Sequence, residues 1–114
     1  MAYNEQIAKR ISEQLQISNI DFEVKKMFGG IAYMIKNKMS IGIVKDELMI
    51  RVMPGKYDTA LQLDYAKPMD FTGRVMKGFL MIERKGFETD EALQNWLDIG
   101  IEFGKFGVVK RKKK

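Results

Sequence analysis

Apolar residues in the middle of this chain recur with a period of two. Within residues 27–51, MFGGIAYMIKNKMSIGIVKDELMIR, and running on to Val52, three short runs at 31–35, 39–44 and 48–52 are separated by polar residues at Lys36-Asn37 and Lys45-Asp46-Glu47. Alternation broken by turn residues predicts a β-meander. Ile31, Tyr33 and Ile35 share one face, as do Ile41 and Ile43, and then Leu48, Ile50 and Val52. The other face carries Ala32, Met34, Met49 and Arg51, joined later by Met81 or Ile82, and is unusually apolar for exposed surface. Either loops or a helix cover it, or Met34, Met49 and Met81 form a protein-contact face, since flexible thioethers suit contacts that must adapt. On the second reading the same patch supports a weak homodimer, isologous pairing being the commonest way to bury one.

The flanks read as helices and further strands. Ile7, Ile11 and Leu15 recur at helical spacing with charged residues opposite, and Asn4 is a suitable N-cap. A first strand at 22–27 ends at Gly29-Gly30, read as a turn and not as a phosphate loop, because β-prone residues follow it. Pro54-Gly55 ends the third meander strand and opens a short helix of two to three turns around Tyr57, Ala60 and Leu61, with Asp64 at the same spacing. Beyond a loop punctuated by Pro68 and Gly73, residues 78–83 read as a strand, with 69–72 pairing beside it. Thr89, followed by Asp90 and Glu91, starts a final helix to about Phe106 whose buried stripe is Leu93, Trp96, Leu97, Gly100, Ile101 and Gly104. The expected architecture is α+β: two layers, an antiparallel sheet of about five strands, and three helices in the order α-β-β-β-β-α-β-β-α. The first and last helices are expected on the same sheet face.

Composition narrows the chemistry. At 114 residues the chain suits one domain, placed at 1–107. No apolar run approaches the roughly 20 residues of a bilayer span, and the polar start MAYNEQIAKR lacks a secretory signal pattern, so a cytoplasmic protein with no membrane partner is expected. Cysteine and histidine are both absent, which removes disulfides, thiolate and imidazole catalysis, and the ordinary structural zinc sites. No cofactor is expected. The net charge of +5 is local, because Lys110, Arg111, Lys112, Lys113 and Lys114 account for all of it. Residues 108–114 are read as a disordered basic tail, and any nucleic-acid contact is assigned to that tail alone.

The residues MFGGIAYMI, LMIRVMPGKYDTAL and AKPMDFTGRVMKGF, followed by a helix with Ala92, Trp96 and Gly100, resemble the N-terminal domain of the TfoX/Sxy family, the bacterial competence regulators. The resemblance covers residues 27 to about 104, and PMDFTGR-x-MKGF is its most specific block. Val75 stands where members often have proline, and the helical C-terminal domain of the full-length regulators is not matched, so the chain reads as a stand-alone version. The resemblance implies a two-layer α+β domain and a regulatory role in transcription through contact with a protein partner such as a DNA-bound activator, not catalysis.

Arg51, Asp70, Arg74 and Lys77 are the polar positions inside the matched blocks. They suit a structural ion pair that fixes the PMDFTGR segment to the sheet, or a ligand or active site with Asp70 as base and the cations as anion clamps. The leading expectation is a non-enzymatic regulatory module working through protein contacts. Non-specific nucleic-acid binding through the tail is the alternative, and a ligand-binding or enzymatic site at those four residues ranks third.

Overall fold

The computed structural model describes residues 4–27, 30–71 and 74–107, with backbone alone at Met27, Asp70, Phe71 and residues 74–77. Helix α1 (Glu5–Ile17) begins where the Asn4 side chain accepts hydrogen bonds from the Gln6 and Ile7 amides, at 2.9 and 3.2 Å. It buries Ile7, Ile11 and Leu15. Strands β1 (Glu23–Met27), β2 (Gly30–Ile35), β3 (Lys38–Val44) and β4 (Glu47–Arg51) form the meander. Lys36 and Asn37 both take positive φ, 50° and 65°, the two-residue turn whose twist matches that of the strands it joins.

A 3₁₀ turn (Pro54–Lys56) leads into α2 (Tyr57–Leu61), which is shorter than the two to three turns expected. The proline-led first turn is 3₁₀, and Tyr65, at φ 71°, directs the chain out into the next strand. The strand pair expected at 69–72 and 78–83 is a longer hairpin of β5 (Ala66–Phe71) and β6 (Arg74–Ile82). After a second 3₁₀ turn (Arg84–Phe87), Thr89 accepts from the Ala92 amide at 3.0 Å and starts α3 (Asp90–Phe106).

All six strands are antiparallel to their neighbours in the order β1-β2-β3-β4-β6-β5, one strand more than the count expected. One core lies on the helix side. Ile11, Leu15, Ile41, Ile43, Leu48, Ile50, Leu80, Ile82, Leu93 and Leu97 are closed to solvent there, with Trp96 and Phe87. Both α1 and α3 contribute to this cluster, as the sequence pattern predicts. The Tyr33 hydroxyl ties α1 to β2 by donating to the Ala8 carbonyl at 2.9 Å, and the Trp96 indole N–H donates to the Gly86 carbonyl at 3.0 Å. The glycine stripe of α3 is a close approach. An added Cβ at Gly104 would lie 2.6 Å from the Ile35 Cβ, and one at Gly100 would lie 2.7 Å from the Ile41 Cγ1. Lys38 caps this contact, its ammonium donating to the Gly104 carbonyl at 2.9 Å.

Candidate functional site

The second face of the sheet follows from a break in the β5–β6 ladder. Pro68 pairs with Leu80 but Met69 pairs with Met76, so three residues of β6, at 77–79, stand against a single step of β5. Gly78 takes φ 90°, a conformation that a side chain disfavours, and its carbonyl accepts from the Val52 amide at 2.7 Å. At this point β6 keeps its pairing with β4, Phe79 opposite Arg51, while parting from β5. Bulges of this kind re-aim side chains.

Met49, Met69, Phe79 and Met81 form a second buried cluster here, with Met39 and Val44 against it. Met49 and Met81 are therefore not an exposed face. Their exposures of 2% and 9% place them in a small core within one chain. Met34 lies apart, partly exposed beside Phe22 and the Lys36-Asn37 turn. An open groove of about 660 Å³ runs along the edge of this core, floored by Val44, Pro68, Met69 and Met81 and rimmed by Lys45, Asp46, Glu47 and Lys67. Lys67 donates to the Glu47 carboxylate at 2.9 Å, and that hydrogen bond raises the Lys67 pKa above its ordinary value.

Arg51 has an unusual setting at the end of β4. Its guanidinium carbon lies over two aromatic rings, 4.7 Å from the Phe79 centroid and 4.4 Å from that of Phe103 on α3, both within cation–π range. Burial lowers its pKa, though a guanidinium so placed stays protonated. A cavity of about 380 Å³ opens in front of it, walled by Val52, Pro54, Tyr57, Asp58 and Phe103 and reaching Gly78.

Of the four polar positions in the matched blocks, the structure places one in full. Arg51 makes no ion pair among the described residues, whose pairs are Arg10–Asp90, Lys56–Glu102 and Lys67–Glu47. The side chains of Asp70, Arg74 and Lys77 lie outside what is described, although their backbones sit in the β5–β6 hairpin. The tail, with Lys110, Arg111, Lys112, Lys113 and Lys114, also lies outside it. Sequence reasoning missed Phe79 and Phe103 as partners of Arg51. Nothing local signals that contact, although Phe103 falls one residue before Gly104 on the buried stripe. Among the described residues no three acidic side chains gather to hold a metal ion, and no helix is long and apolar enough to cross a membrane.

No curated protein and no solved structure matches the chain. A family model does, that of the TfoX N-terminal domain, over residues 15–104 of 114. The match begins within α1 and ends within α3, taking in the whole sheet, the groove and the Arg51 cavity. The chain belongs to the TfoX N-terminal domain family.

Proposed function

We propose that this domain is a non-enzymatic regulatory module that acts inside the cell, in transcription or competence control, by binding a protein partner. Membership of the TfoX N-terminal domain family is the observation that carries this reading. The groove beside the second core suits such a role. Its floor is edged by the buried Met69 and Met81, flexible side chains that can repack against an inserted group, and its rim carries Lys45 and Lys67 with Asp46 and Glu47, so that a partner meets both signs of charge. Affinity purification from cell lysate tests the proposal, run with and without nuclease. A specific protein retained after nuclease treatment, and lost from the Lys45→Glu variant, is the expected result.

The location of charge supports a second reading. All of the net +5 resides at 110–114, so a nucleic-acid contact through those residues would be non-specific, with a log–log salt slope of about −4 on duplex DNA from counterion release. Capture that disappears with nuclease, together with DNA binding abolished in a chain ending at Val109, would replace the first reading with this one.

A further inference from the structure

The cavity in front of Arg51 presents a cation with no anionic partner among the described residues. The guanidinium contacts the rings of Phe79 and Phe103, which satisfy its faces and accept none of its N–H groups in a hydrogen bond. No described residue accepts from it either, and none of its unpartnered nitrogens is sealed from solvent. Asp58 lines the same cavity without coming into ion-pair range of Arg51. The fork of donors is thus held between two rings, partly desolvated, on the lining of the cavity. Gly78 lies on the cavity lining, and an added Cβ there would meet nothing within 4 Å.

We propose that this cavity is a binding site for a small monocarboxylate with a flat apolar body, Arg51 taking the carboxylate through two N–H groups. A planar guanidinium pairs best with a planar carboxylate, and ring contact fixes its plane before the ligand arrives. Val52, Pro54 and the Phe103 ring supply apolar wall, and a volume near 380 Å³ falls in the range of about 300–1,000 Å³ typical of small-molecule sites. Asp58 sets the charge limit. A second negative charge on the ligand would face its carboxylate, so a phosphate dianion is disfavoured where a monoanion is accepted. This inference does not rest on the regulatory reading, and either can fail alone.

The test is a titration of the full chain with sodium benzoate, followed by NMR at the Arg51 side-chain Nε–H and the Val52 and Gly78 amides. Saturable shifts confined to these signals are expected, with benzamide, the neutral analogue, at least about tenfold weaker. Inorganic phosphate should bind more weakly than benzoate. Asp58→Asn should tighten benzoate by about two- to fivefold, the effect of removing one partly screened like charge. Arg51→Gln should abolish the response while keeping a folded spectrum; if that variant does not fold, the benzamide and Asp58→Asn comparisons decide. Shifts that rise linearly without saturating, equal shifts with benzamide, or no tightening in Asp58→Asn would overturn the proposal. Phosphate binding as tightly as benzoate would overturn the carboxylate assignment.

Discussion

Under α1 and α3 the sheet presents Ile31, Tyr33, Ile41, Ile43, Leu48, Ile50, Leu80 and Ile82, while the opposite face presents Met49, Met69, Phe79 and Met81 beside an open groove. The first face is built from branched aliphatics with few rotamers, and it requires a partner surface of matching shape. Helix α3 supplies that surface by omitting side chains at Gly100 and Gly104. The second face has no described helix over it, and its packing is done by unbranched thioethers that fill the irregular space made by the β6 bulge. One sheet therefore carries a rigid core that holds the fold and an adaptable core that borders the candidate binding surfaces.

Substitutions should separate the two faces by size of effect. Trp96→Ala removes a 7%-exposed ring and its hydrogen bond to Gly86, and should cost about 3–5 kcal/mol, a large share of the 5–15 kcal/mol available to a domain of ordinary stability. Chemical denaturation measures this directly, and an unchanged midpoint would show that the helix-side core does not depend on the ring. Gly104→Ala should also destabilise, by about 1–3 kcal/mol, although alanine favours helix by about 1 kcal/mol. The new methyl would lie 2.6 Å from both Cβ and Cγ2 of Ile35, atoms close to the backbone that cannot swing away. A stabilised Gly104→Ala variant would mean that α3 can lift off the sheet at little cost.

On the methionine side the cost should depend on whether volume is kept. Met81→Leu conserves volume and should cost less than about 1.5 kcal/mol, whereas Met81→Ala should cost about 2 kcal/mol or more. A thermal melt in which Met81→Leu is as damaging as Met81→Ala would show that this cluster is as specifically packed as the helix side, erasing the contrast.

The first face was legible in the sequence because its signals are local. The period-two runs, the Lys36-Asn37 turn, the Asn4 and Thr89 caps and the α3 stripe each report within a few residues, and the structure follows them. The second face was not, because its determinant is a mismatch between two strands. No local pattern around Pro68 or Gly78 announces that three residues will stand against one step, so the alternation alone left open whether Met49 and Met81 are covered or form a contact face. The Arg51 cavity was half legible. The arginine was singled out, but its rings come from β6 and from the far end of α3, and only the folded packing brings Phe103 onto a residue of β4.

The smallest predicted effect concerns the groove rim. Lys67 and Glu47 pair at 2.9 Å with their side chains 45% and 31% exposed, so solvent screens the attraction and the pair should contribute well under 1 kcal/mol. Its pH dependence has a definite sign. The folded-state pKa of Lys67 is raised, chiefly by the hydrogen bond to Glu47, so the stabilisation is fully present below the unfolded lysine value of about 10.4 and is lost as pH rises through the higher folded value. Lys67→Met should remove this alkaline component while leaving the melting temperature at pH 7 within a degree or two. A larger loss at neutral pH would mean that the pair does more than edge the groove and instead holds β5 against β4 across it, making the second face as dependent on a fixed contact as the first.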